Sequence, residues 1–297
     1  MWIIDTGVDL TVEEFARYEL PYAHAFTYVK PQRDKNKREH RRLNWWLHAE
    51  TCPGMRAALQ GQFRFLTTPR VSKFRVFSWE ESIVLSDDGI YVFARDDDYF
   101  FGVLHSRFHE IWARAQGTQV RERESGFRYT PTTCFETFPF PEPNEQQKND
   151  ISAAAKELDE LREKWLNPPE WTITRVLEFA GSADGPWSRF VVDPDAGGIG
   201  TVRYPRIESR DDDCAARLAK RTLTNVYNER PAWLANAHAK LDAAVAAAYG
   251  FNVDLTNEQI LERLLTLNRE RAEGEKLKKQ TLRAPRTSRD RNEAEFV

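Results

Sequence analysis

Arg70, Ser72, Lys73 and Arg75 stand within six consecutive residues. Guanidinium and ammonium groups supply charge, and the hydroxyls of Ser72 and nearby Thr68 supply donors that suit phosphate oxygens. In an extended segment alternate side chains point the same way, which predicts that Lys73 and Arg75 share a face. A solvated sheet face would have the same composition. Further along, Gln119, Arg121 and Arg123 lie in a polar stretch over 118–128. Arg and Gln pair bidentately with guanine and adenine edges in a major groove, and a plain surface loop would look similar. A third basic group, Lys35, Lys37, Arg38, Arg41 and Arg42, leads into and lies along a predicted helix over 36–49. It either flanks a duplex or is that helix's wet face.

Other constellations point away from catalysis. His105 and His109 are four apart on a predicted helix, the spacing of a metal pair. No third ligand follows at a suggestive distance, so structural or interface histidines are expected and no metal. Asn167-Pro168-Pro169 resembles the Asn/Asp-Pro-Pro-aromatic motif with which amino-methyltransferases hold a flipped base. The fourth position is Glu170, however, and the segment ends a charged helix, so a helix stop is expected. Gly197, Gly198 and Gly200 precede a strand-like run over 201–205, whereas a nucleotide-binding loop must open a helix. No catalytic residue and no cofactor-binding residue is assigned.

The net charge of -3 conceals strong segregation. Residues 1–29 carry five acidic residues and one Arg; residues 30–75 carry twelve Lys or Arg and three acidic residues; residues 76–150 carry fourteen acidic and seven basic ones. A localised basic block in a mildly acidic chain suits a polyanion site. With 41% hydrophobic and 30% charged residues the 297-residue chain is of globular type. Its apolar runs are too short to cross a bilayer. Three scattered cysteines, Cys52, Cys134 and Cys214, suit a reducing compartment, and the start lacks the pattern of a signal peptide. A cytoplasmic protein is expected.

The positioning elements follow from periodicity and punctuation. Trp2-Ile3-Ile4 reads as a short strand, and Thr11 with Glu14 as a capping box opening a helix over 12–18. Pro21 is expected to break that helix, which resumes over 22–29. Strands are predicted at 63–67, 74–79, 83–85 and 90–94, with Asp87-Asp88-Gly89 as a turn. Phe100, Leu104, Phe108, Ile111 and Ala115 form one stripe of a helix over 99–116, stopped by Gly117. Short strands are expected around 132–138 and a charged helix over 145–166. Beyond lie short strands within 172–204 and helices over 211–227, 231–249 and 257–272. The class is α+β: a mixed recognition domain over 1–143, a linker helix over 144–170, a mainly helical domain over 171–272, and a charged, disordered tail over 273–297.

In order and combination these segments resemble the target-recognition and C-terminal region of MmeI-like adenine-specific DNA methyltransferases, of type IIG/IIL restriction–modification systems. The resemblance rests on Trp2-Ile3-Ile4-Asp5, Val29-Lys30-Pro31 with Arg33-Asp34 through Trp45-Trp46, Pro69-Arg70-Val71-Ser72-Lys73, and the Tyr99 to Trp112 helix. It continues in Tyr129-Thr130 to Pro141, Thr222-Leu223-Thr224-Asn225, and Leu241-Asp242 to Tyr249-Gly250. It implies double-stranded DNA as partner and N6-adenine methylation with S-adenosylmethionine by the complete enzyme. In that family the methyl-donor loop and the Asn-Pro-Pro-aromatic motif lie upstream of the recognition region. The expectation is that this chain starts downstream of both, is not catalytic alone, and works with a separate or missing catalytic domain. The other reading is an assembly subunit of a defence complex, whose basic block meets an acidic protein.

Overall fold

The computed structural model describes residues 3–119 and 126–283, and the chain divides into two compact units, 1–62 and 63–297. In the first unit Thr11 caps α1 (Val12–Phe15) through the expected box: the Glu14 amide donates to Thr11 Oγ1 at 3.2 Å and the Thr11 amide to Glu14 Oε2 at 2.9 Å. Pro21 does not break the next helix. It sits in the first turn of α2 (Glu19–His24), where a missing N–H costs nothing. A π-helical turn, Ala25–Val29, then leads into α3 (Lys30–Arg33), with the Lys30 amide donating to Ala25 O five residues back. α4 (Glu39–Leu43) is far shorter than the helix expected over 36–49, and α5 (Pro53–Leu59) follows. Ile3 and Ile4 form no strand; the Ile4 carbonyl instead accepts from His48 Nε2 at 3.0 Å. Phe15, Ala25 and Trp45 are the buried centre of this unit.

The second unit begins with β1 (Arg64–Pro69), β2 (Val71–Ser72), β3 (Ser78–Glu81) and β4 (Ile90–Phe93). β1 lies between β3 and β4, antiparallel to both, with Leu66 opposite Trp79 and Phe93. The run over 83–85 is not a strand; the Val84 amide closes a turn onto Glu81 O. The predicted helix over 99–116 is two helices, α6 (Asp98–His105) and α7 (Arg107–Gln116), because Ser106 adopts extended backbone, with ψ of 159°. Its hydroxyl donates to Val103 O at 2.7 Å. The break shifts the phase of the buried face: Phe100, Leu104 and Phe108 are buried as expected, but Trp112 and Ala113 replace Ala115, which is exposed.

β5 (Thr118–Gln119) and β6 (Phe127–Arg128) join β2 in a second antiparallel sheet with β6 in the middle. Pro131–Phe135 is a π-helical turn where strands were expected; Pro131 stands at its start, where proline favours helical backbone. α8 (Glu145–Leu166) matches its predicted span, capped by Asn144 and Gln147. It is a core element, with Ile151, Ala154, Ala155 and Leu158 buried. It approaches α6 so closely that a Cβ on Gly102 would lie 2.8 Å from Ile151 Cγ2.

β7 (Thr172–Ser182) and β9 (Ile199–Ser209) pair over eleven positions, a longer ribbon than the short strands predicted, with β8 (Val191–Val192) on the far side of β9. Gly197 and Gly198 form the turn into β9. Helices α9 (Asp212–Leu218), α10 (Leu223–Glu229), α11 (Ala232–Tyr249) and α12 (Asn257–Arg283) complete an α+β architecture. α12 continues through the first part of the stretch expected to be a disordered tail; 284–297 lie outside the described residues. One hydrophobic core unites β1, β3, β4, α6, α7, α8 and α10 to α12. Among the described residues no helix is long and apolar enough to cross a membrane.

Candidate nucleic-acid interface

The chain between β1 and β2 is tied at both sides by main-chain bonds. The Arg70 amide donates to Gly89 O and the Tyr129 amide to Arg70 O, each at 2.8 Å. The Arg70 side chain is left exposed above the Tyr91 ring, 5.1 Å from its centroid. Lys73 is exposed as well and reaches Asn228 Oδ1 at 2.7 Å. On β6 Phe127 is buried and Arg128 exposed, and Tyr129 just after the strand is buried again, the alternation of extended backbone with one wet face. Register puts Arg128 opposite Val71 and Thr118, so this sheet presents a cation beside the Arg70 segment. From sequence Arg128 reads only as one of three Arg in the polar stretch over 118–128, not as a member of this sheet. The in–out–in pattern of Phe127-Arg128-Tyr129 was the signal that could have found it.

Arg75 differs from the expectation. It does not share a face with Lys73: it is only 4% exposed. Its guanidinium donates to Thr68 Oγ1 at 2.9 Å, to Phe127 O at 3.3 Å and to Pro69 O. It also lies 4.7 and 4.8 Å from the Phe127 and Tyr129 ring centroids. Burial pushes its pKa down to about 10. The alternation argument failed because residues 74–77 are not a strand, and Arg75, Val76 and Phe77 are all buried in sequence. The hydroxyls are engaged too, Thr68 with Val76 O at 2.8 Å and Ser72 with Phe74 O.

Gln119 closes the base of the next loop by donating from Nε2 to Gly126 O at 2.9 Å. Gly126 is required there on two counts. Its φ is +88°, and an added Cβ would lie 2.3 Å from the Ser72 carbonyl carbon. Arg121 and Arg123 fall outside the described residues. Lys35, Lys37, Arg38, Arg41 and Arg42 belong to the first unit. Lys35, Lys37 and Arg38 are exposed, Arg41 pairs with Glu50 at 2.7 Å, and Arg42 meets Glu39 at 4.0 Å.

The two histidines are core residues. His109 Nδ1 donates to Leu104 O at 2.9 Å and its Nε2 accepts from the Tyr129 hydroxyl at 3.0 Å; burial lowers its pKa to about 3. His105 Nδ1 accepts from the Phe77 amide at 3.1 Å, and its Nε2 meets the Tyr227 hydroxyl at 2.7 Å. Asn167-Pro168-Pro169 ends α8. Asn167 Nδ2 donates to Glu163 at 3.1 Å, while Pro168 O accepts from Trp171 N and Thr172 Oγ1, each at 2.9 Å. Pro168 O, the carbonyl that would grip a flipped base, is thus already engaged by two donors, and the glycines at 197 and 198 lead into a strand, not a helix.

These features define a mixed recognition module packed on a helical layer. Residues 56–142 match the family model described as "MmeI, target recognition domain", and this stretch is an MmeI-like target recognition domain. DNA methyltransferase A of Bacillus subtilis (strain 168) is 36% identical over 75 residues, 25% of this chain and 8% of that protein. The solved structure of the type IIL restriction–modification enzyme MmeI in complex with DNA shares the fold over 89% of this chain and 28% of its own, with a TM-score of 0.57 and 20% identity. The chain therefore spans a small part of the length of both relatives.

Proposed function

We propose that this chain is the DNA-reading portion of a site-specific N6-adenine DNA methyltransferase of a restriction–modification or phage-defence system. The observation that carries the reading is the recognition domain over 56–142 with Arg70, Lys73 and Arg128 exposed on the segments that flank Gln119 and Gly126. Arg70, Lys73 and Arg128 hold backbone phosphates, with Ser72 as a neighbouring polar contact. Arg121 and Arg123 reach base edges, while Gln119, tied to Gly126 O, supports them and would have to give up that bond to read a base itself. The Lys35–Arg42 group flanks the duplex. The recognition function is assigned to residues 1–143 and a supporting role to the helices after them. S-adenosylmethionine binding and methyl transfer are functions of the complete enzyme.

The test is a methyl-transfer assay with labelled S-adenosylmethionine and mixed-sequence duplex DNA, run with the chain alone and with a candidate catalytic partner. Duplex binding is followed in parallel by fluorescence anisotropy. Salt-sensitive binding by the chain, with transfer only in the mixture, is the expected result. Methylation by the chain alone, or the absence of duplex binding at low salt, would overturn the proposal.

A further inference from the structure

A small cavity of about 180 Å³ lies within the second unit, between α7, α10, α11 and the Phe74-Arg75 segment. Four arginines line it, Arg75, Arg107, Arg114 and Arg230, against two carboxylates, Glu110 and Asp242. Both carboxylates are already occupied. Glu110 accepts from Arg114 at 2.7 and 2.9 Å, and Asp242 Oδ1 accepts the Arg107 amide at 2.8 Å. Among the described residues the Arg107 guanidinium donates to neutral oxygens, those of Leu255 and Asn257. A positive excess of two remains around the space.

Arg75 is the most telling member. It is more than nine-tenths buried, and among the described residues its acceptors are neutral and its Nε has no hydrogen-bond partner. A buried cation with an unused donor and no directly paired carboxylate is costly unless more negative charge is supplied nearby. Arg230 stands at the rim in a left-handed conformation with φ of 44°, forming no ion pair among the described residues. Non-glycine residues hold such a conformation at a cost that the surroundings must impose. The volume is below the roughly 300–1,000 Å³ of sites for drug-sized ligands, so the space suits one compact group and not a nucleoside.

We propose that this cavity is an oxyanion site that takes a single phosphate group, held by Arg75, Arg107 and Arg230. Arg75 belongs to the recognition domain and Arg230 to the helices beyond it, so an occupant would bind the two parts together. The phosphate is either a free ion or one group of a DNA backbone. Only the second source rests on the proposed reading of DNA.

The experiment compares the full chain with Arg230→Gly, which removes the rim charge at a position whose backbone glycine accepts without strain. Melting temperature is measured against inorganic phosphate, with chloride at matched ionic strength as reference. Wild type should show a saturable rise, and Arg230→Gly should need about tenfold more phosphate, the loss of one charge-assisted bond. No phosphate-specific rise, or an equal response in both proteins, overturns the site even if duplex binding is intact. Given the phosphate response, duplex affinity against salt identifies the source. A slope shallower by about one in Arg230→Gly assigns a backbone phosphate, and an unchanged slope assigns a free ion.

Discussion

Replacing Arg70, Lys73 and Arg128 together by Gln removes three exposed charged side chains at the loss of only the surface contacts of Arg70 with Tyr91 and of Lys73 with Asn228. If each neutralises one phosphate, the slope of log affinity against log salt should become shallower by about 0.9 per residue, about 2.7 for the triple variant. Over a fourfold change in salt, from 50 to 200 mM, this corresponds to a difference of roughly 40-fold between the wild-type and variant losses. The assay is anisotropy of a labelled duplex titrated at several salt concentrations. Thermal unfolding without DNA should be unchanged within a few degrees, since surface substitutions of this kind cost little. Arg175→Gln, on the exposed β7–β9 ribbon and paired only loosely with Glu208 at 3.7 Å, serves as control. A triple variant with the wild-type slope would refute the assignment of this surface, and so would a control that loses as much as each single variant.

Gly126→Ala should lower stability by about 1–3 kcal/mol or more, from its positive φ and the approach of Ser72, read as a fall in urea midpoint; an unchanged midpoint contradicts the close packing. Tyr129→Phe leaves His109 Nε2 without its donor and should cost about 1–3 kcal/mol at constant m-value. Burial holds His109 and His238 at about 3 and about 4 in the folded state, below their value of 6.5 when unfolded. Their contribution is therefore complete above pH 6.5 and is lost as pH falls towards 4, at up to about 1.4 kcal/mol per histidine per pH unit. Asp242, raised to about 6 by burial, acts in the opposite sense, because the folded state binds its proton more tightly. Asp242→Asn should accordingly steepen the acid loss below pH 6 in urea midpoints measured across pH 7 to 4.5, and a shallower profile would contradict the buried carboxylate.

Local signals were readable where local chemistry decides the outcome. The Thr11 capping box, the Asp87-Asp88-Gly89 turn and the span of α8 are read from side chains close to one another in sequence. Strand and helix boundaries failed where distant packing decides. Ser106 interrupts a stripe that is continuous in periodicity, and Arg75 turns inward because Phe127 and Tyr129, more than 50 residues later, offer their rings and a carbonyl. The recognition surface was half legible. Arg70 and Lys73 are exposed as their type suggests, whereas Arg128 becomes a neighbour of Val71 only through the pairing of β2 with β6.

The recognition domain ends in sequence at 142, yet its core closes only with residues that come much later. His105 meets Tyr227, the Arg107 amide meets Asp242, the Arg107 guanidinium meets Asn257, and Tyr249 reaches back to Pro139 O. During synthesis, at about 5–20 residues per second, the stretch from 143 to 257 takes on the order of ten seconds to emerge. Throughout that interval α6 and α7 present Phe108 and Leu104 without the helix that covers them. A nascent chain of this kind needs shelter from aggregation until α11 arrives, and a transplant of residues 56–142 alone would carry that exposed face permanently.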